Sequence, residues 1–188
     1  MLDLLLRRPE TADKDEIHRL FRTVITDTFW KEGIIDQDND LEEEIKTKQY
    51  YLEDDFQSSG KERFFLIALE AGKIIGTIEY GPASPLIIKC TDNNFQHLHE
   101  VGTVFIHPDY QRKGIGNILL QEIYHILQSN DINEFCLDSG YRRSQKIWKR
   151  KFGEPDYLLK DYWGKEYHHM IWYLNVHEII KNSKSQSK

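Results

Sequence analysis

The sequence predicts a mixed α/β domain of the α+β kind, a mostly antiparallel sheet of about seven strands flanked by helices on both faces. Three observations carry this. Two β-rich runs meet at Glu70-Ala-Gly-Lys73, a hairpin signal. Apolar residues at helical spacing follow a loop at 111–116 that contains two glycines. The periodicities change along the chain in the order βααβββαβαββ, with no internal repeat.

Taken in order, Leu2 to Arg8 reads as the first strand, closed by Pro9. Asp13 and Glu16 resemble a capping box, and Ile17, Leu20, Phe21, Val24 and Ile25 then make one helical stripe. The polar run Asp36 to Asp40 breaks that helix, and Leu41, Ile45 and Leu52 predict a second, reaching about Asp55 and leaving through Ser58-Ser-Gly60. Phe64–Leu69 and Ile74–Tyr80 form the hairpin, ended by Pro82 and Pro85. Leu86 to Phe95 is ambiguous and reads as a strand extension followed by a loop, and His99 to Ile106 is a strand. Ile115, Ile118, Leu119, Ile123, Ile126 and Leu127 form a continuous apolar stripe, so the next helix runs from the glycine loop to Asn130. Phe135–Leu137 is a short strand and Ser144–Lys151 a short basic helix ending at Gly153. Tyr157–Leu159 and His168–Val176 are the last strands. Residues 1–180 are expected to form a single domain, with 181–188 a disordered polar tail.

Composition narrows the function classes. A length of 188 residues, 39% hydrophobic and 30% charged, is ordinary for a soluble domain with a real core. No apolar run approaches the roughly 20 residues of a membrane span. The start of the chain does not have the charge order of a signal peptide. Cys90 and Cys136 build no disulfide framework, so the expected compartment is a reducing cytoplasm. A net charge of −6 opposes general nucleic-acid binding and is compatible with a cationic partner.

The most informative stretch is Val104 to Leu119. A β-branched and aromatic run stops at Pro108, a donor-rich loop follows, and then a helix begins. Amides at a helix start have no intrahelical acceptor, and the helix dipole adds positive character there, so this arrangement suits a phosphate. Gly114 and Gly116 keep side chains out of the approach, and Arg112 and Lys113 add charge at its rim. The loop lacks the Gly-Lys-Ser/Thr ending of a P-loop and the three spaced glycines of a dinucleotide fingerprint.

The string Gln111-x-x-Gly114-x-Gly116, with Pro108 ahead of it, resembles motif A of the GNAT superfamily of acyl-CoA-dependent N-acetyltransferases. The element order resembles the GNAT fold across nearly the whole chain. The resemblance implies acetyl-CoA as co-substrate, with Val104, Phe105 and Ile106 pairing with pantetheine. Gln111 belongs to the same loop, and Arg112, Lys113, Gly114, Ile115, Gly116 and Asn117 would hold the pyrophosphate. It further implies transfer of an acetyl group to a primary amine, on a small molecule or a peptide, by direct attack in a ternary complex. The alternative is a non-catalytic module that keeps the acyl-CoA grip for sensing.

Such chemistry needs a neutral amine, and an alkylammonium titrates near 10.4, so a base must first remove a proton. Glu100 stands eleven residues before Gln111. A glutamate at this offset is the base in the histone-acetylating branch of the superfamily, so Glu100 takes that role by resemblance; the other reading is a strand-end glutamate in solvent. His97 and His99 lie beside it, but two histidines without further ligands make no metal site, and none is expected.

The second half of the family pattern departs here. Trp148 stands where many members carry the tyrosine that protonates the departing thiolate, and an indole N–H is not a practical proton source. Trp148 therefore reads as packing, and Tyr141, whose phenol has a suitable pKa, is the candidate acid. The basic run Arg142 to Lys151 reads three ways: a solvated helix face, contacts to the coenzyme A 3′-phosphate or adenine, or a nucleic-acid patch. The segment Asp161 to Met170 is dense in aromatics and histidine. With Asp36, Asp38 and Asp40 it would suit a cationic amine, or else serve as core or as a homodimer interface.

Overall fold

The structure is a computed structural model in which residues 3–34 and 38–185 are described. In chain order the elements are β1 (Leu4–Arg7), α1 (Lys14–Glu32), α2 (Asp38–Ser58), β2 (Phe64–Glu70), β3 (Lys73–Pro82), α3 (Pro85–Cys90), β4 (His99–Ile106), α4 (Ile115–Ser129), β5 (Glu134–Ser139), α5 (Arg142–Phe152), β6 (Tyr157–Leu159), β7 (His169–Asn175) and α6 (Val176–Ser185). The seven strands follow the order β1-β2-β3-β4-β5-β7-β6, mostly antiparallel, with β4 and β5 parallel. This is the expected sheet, with two further helices, α3 and α6. By contact density the chain divides into two compact units, Met1–Tyr80 with Thr103–Ile123, and Gly81–Gly102 with Tyr124–Lys188.

In the first unit the β2–β3 hairpin turns through Ala71 and Gly72 at φ 48° and 77°, the positive-φ pair of a type I′ turn. Buried residues run consecutively along both strands instead of alternating, so each strand is covered on both faces. The predicted stripe of α1 supplies the cover on one side: Ile17, Leu20, Phe21, Val24 and Ile25 are buried. The ring of Phe21 meets Phe65 at 6.1 Å and Phe105 edge-on at 5.8 Å. Ile115, Leu119 and Ile123 carry the stripe of α4 into the same core. The buried carboxylate of Asp55, at the end of α2, accepts from the Phe65 amide at 2.9 Å and from the Arg8 guanidinium at 2.8 Å.

The second unit corrects two expectations. The segment after Pro85 starts as a helix, α3, where a strand extension was expected, and the turns at 91–97 follow in place of the expected loop. Ser84 caps it, its hydroxyl accepting from the Ile87 amide, and Pro85 takes the first helical position, where its missing N–H costs nothing. Two nearby prolines read as breakers, although one of them starts a helix. Ile87 of α3 joins Ala83, Phe95, Leu98, Cys136 and Ile171 in one apolar cluster. Strand β7 stops at Asn175, whose side-chain oxygen accepts from the His177 and Glu178 amides and so starts α6. Residues 181–185 of the expected tail belong to that helix, and 186–188 lie outside the described residues, as does Asp36.

Candidate active site

The loop between β4 and α4 lies within the first unit. After Pro108 a short 3-10 turn leads to Gln111, whose side-chain N–H donates to the Ile106 carbonyl at 3.2 Å. Lys31 of α1 donates to the Gln111 Oε1 at 3.2 Å and pairs with Asp27. Gln111 therefore braces the neck of the loop with its side chain. Arg112 at φ 61° and Gly114 at φ 84° fold the chain back, and successive residues of this kind turn their amides into a concave nest. The first intrahelical donors are Asn117 and Ile118, both to the Gly114 carbonyl, so the amides of Ile115 and Gly116 precede the helix's own ladder. A Cβ built at Gly114 meets no atom within 4 Å, so the space over the loop is open. Lys113 rests over the Tyr110 ring at 4.7 Å. Backbone donors, open space and two cationic side chains fit a pyrophosphate.

The strand leading into this loop carries a strained residue. Thr103 lies at φ 49°, a conformation that costs a β-branched side chain of order 1–3 kcal/mol. Strand β3 holds it there. The Thr77 hydroxyl donates to the Thr103 carbonyl at 2.9 Å, and the Thr103 hydroxyl donates to Glu79 Oε1 at 3.1 Å. The fully buried Glu79 is paired in turn with the buried Arg63 guanidinium, which stacks on Tyr51 at 3.7 Å. Val104, Phe105 and Ile106 follow directly and are half-buried. Thr103, Glu79 and Arg63 belong to none of the motifs legible in the sequence. The available signal was a glutamate at an inward position of an otherwise apolar strand.

Glu100 and Tyr141 lie in the second unit. Glu100 is buried near the start of β4, opposite Cys136 of β5, and its Oε2 accepts from the Ser84 amide at 2.7 Å. It is not a strand-end glutamate in solvent. Burial holds the neighbouring His99 below the usual histidine range. Tyr141 is the N-cap residue of α5, half-buried, with its amide donating to the Ser139 hydroxyl and its carbonyl accepting from the Gln145 amide. Among the described residues no group of three or more His, Cys, Asp or Glu has metal-binding geometry, and no helix is long and apolar enough to cross a membrane.

The family model of the acetyltransferase (GNAT) family matches residues 26–153, more than half of the chain. The chain belongs to the GNAT family. Among solved structures, a GNAT-family protein from Desulfovibrio desulfuricans superposes with a TM-score of 0.69 at 18% identity, over 92% of this chain and 99% of that one. The PaiA N-acetyltransferase from Thermoplasma acidophilum, crystallised with coenzyme A, gives 0.64 at 18% over 92% and 100%. The ribosomal-protein-alanine N-acetyltransferase from Brucella melitensis gives 0.64 at 18% over 91% and 99%. At these identities the superpositions show a shared fold. No curated protein matches the sequence significantly.

In this GNAT acetyltransferase the basic helix α5 is partly committed to its own unit. Arg142 donates to the Tyr167 hydroxyl and stacks over its ring, Lys149 pairs with Glu154, and Trp148 stacks on Phe152. The buried Gln145 amide donates to the Ser139 and His168 carbonyls, both at 2.9 Å, which ties α5 to the ends of β5 and β7. The same unit gathers Asp138, Trp163 and His169: the Trp163 indole N–H donates to His169 Nδ1 at 3.1 Å, and His169 Nε2 lies 3.0 Å from Asp138 Oδ2. They lie up to 31 residues apart and form no local string.

Proposed function

We propose that this GNAT acetyltransferase moves the acetyl group of acetyl-CoA to a primary amine of a small molecule or peptide by direct attack in a ternary complex. The observation that carries the reading is the loop at 111–117: its nest of amides at the start of α4 falls on the string Gln111-x-x-Gly114-x-Gly116, which resembles the family's coenzyme A motif. Arg112 to Asn117 would grip the pyrophosphate, and Val104, Phe105 and Ile106 would pair with pantetheine. Glu100 takes the proton of the incoming ammonium, directly or through water. The amine nitrogen then bonds to the thioester carbon, the C–S bond breaks, the thiolate takes a proton from the Tyr141 phenol, and the proton that the new amide nitrogen sheds restores the phenol, directly or through water. Two free cysteines support a reducing compartment.

Thiol release from acetyl-CoA across a panel of amines tests this. Release is expected with at least one amine. Its complete absence, alongside a rise in melting temperature with acetyl-CoA, would establish the sensing alternative. Glu100→Gln should lower the rate about a hundredfold at low pH and less at high pH, where the amine loses its proton unaided. Tyr141→Phe should lower kcat and leave the KM for acetyl-CoA near its wild-type value.

A further inference from the structure

We infer that Lys31 of α1 is a positioning residue for the loop before α4: its ammonium fixes which way the Gln111 side-chain amide points, and through Gln111 it sets the affinity for acetyl-CoA without touching the cofactor. The inference rests on the proposed function for the identity of the anion. The contacts that carry it lie wholly within the first unit.

Lys31 stands in the last turn of α1, which Gly33 closes at φ 72°. Asp27, one turn earlier, takes one donor of its Nζ at 2.5 Å, with acid ahead of base in the favourable i, i+4 order. A second donor goes to Gln111 Oε1 at 3.2 Å, eighty residues along the chain. The helix that carries Lys31 is itself pinned. Phe29 in the same stretch is buried, and Phe21 meets Phe105 of β4 edge-on at 5.8 Å. The ammonium is therefore held at a fixed place beside the neck of the loop.

A primary amide has a donor end and an acceptor end of nearly the same shape, and the neck needs the donor end. Gln111 Nε2 donates to the carbonyl of Ile106, the last residue of β4, at 3.2 Å. With the amide turned over, its oxygen would face that carbonyl oxygen and its NH2 group would face the ammonium. Two attractive pairs would become two repulsive ones. Lys31 excludes that arrangement and polarises the amide, so that its N–H end donates more strongly. The nest follows directly. The Gln111 main-chain amide donates to the Pro108 carbonyl, and the next residue, Arg112 at φ 61°, starts the reversal. The direction in which the Ile115 and Gly116 amides face is thus set at Gln111. Lys31 also differs from Arg112 and Lys113, which are exposed at the rim. Its charge is already answered by Asp27, so its effect on an anion passes through Gln111.

A double-variant cycle, read by calorimetric titration of the full chain with acetyl-CoA, tests this. Lys31→Met and Gln111→Met each keep the length of the side chain and remove its polar end. Each alone should weaken acetyl-CoA about tenfold, the order of a hydrogen bond to a charged group. The double variant should also weaken it about tenfold, because Lys31 has nothing to orient once the amide is gone. Asp27→Ala should weaken it about threefold, since the ammonium loses its anchor. In turnover, Lys31→Met should raise the KM for acetyl-CoA while kcat moves less than about twofold. Its Tm should stay within about 2 °C of wild type, as for an exposed ion pair, so the loss of affinity is no loss of fold. Wild-type affinity in Lys31→Met would overturn the inference. So would a hundredfold loss in the double variant or tighter binding in Asp27→Ala, either of which would mean that the Lys31 charge acts on the phosphates directly. Absence of acetyl-CoA binding by the wild-type chain would overturn the proposed function itself, a failure distinct from these three.

Discussion

The loop at 107–117 and the cluster around His169 handle charge by opposite means. The loop presents main-chain amides, spaced by the left-handed conformations of Arg112 and Gly114, and its side chains serve mainly to brace it. The cluster presents side chains, held in place by ladder register and by a hydrogen-bonded turn. Main-chain recognition needs a particular local conformation and accepts almost any residue that can adopt it. Side-chain recognition needs particular residues and leaves their sequence spacing free. The two sites therefore differ in how they fail under substitution.

The largest expected effect tests whether the main-chain site depends on side chains at a distance. Arg63→Met leaves Glu79 as an uncompensated buried charge beneath the strained Thr103, at a cost of about 3–5 kcal/mol. For a chain of this size that lowers Tm by about 6–20 °C. Adding Glu79→Gln should recover much of the loss, because glutamine still accepts from the Thr103 hydroxyl and needs no counter-charge. Thermal melts of the single and double variants decide it; a Tm unchanged in Arg63→Met would mean that the pair does not hold β4 in place.

A smaller effect breaks the loop itself. Gly114→Glu puts a side chain at φ 84° and a carboxylate where an anion is expected. Affinity for acetyl-CoA should fall about a hundredfold, equal to about 2.7 kcal/mol. Calorimetric titration with acetyl-CoA reads it, and wild-type affinity in the variant would show that the amides of this loop do not hold the anion.

How much of this was legible from sequence follows the same division. The glycine loop was readable because a nest and a helix start are written in consecutive residues, and the hairpin at 70–73 and the stripe of α4 were readable for the same reason. Helix α3 was not, since Ser84-Pro85 carries both a breaker and a start signal and only the packing of Ile87 under β5 and β7 decides between them. The Thr103 clamp left a partial trace in Glu79, a charge inside an apolar strand. The pairing of Asp138 with His169 left none, because the β5–β7 register that creates it is a tertiary fact.

The smallest expected effect separates the two units by pH. Burial holds both His18 on α1 and His99 on β4 below the ordinary value of 6.5. Above that pH both histidines are neutral in the folded and unfolded chain, and neither contributes a slope. As pH falls below about 6.5 the unfolded chain takes up protons that the folded chain refuses, so stability declines toward acid. His99→Gln removes the contribution of the second unit and His18→Gln that of the first, each flattening part of the curve with no change required at neutral pH. Denaturant midpoints between pH 5 and 8 measure it. If the His99→Gln curve keeps the wild-type slope while His18→Gln flattens it, the histidine part of the acid sensitivity belongs to the unit of the phosphate loop, and His99 contributes nothing in that range.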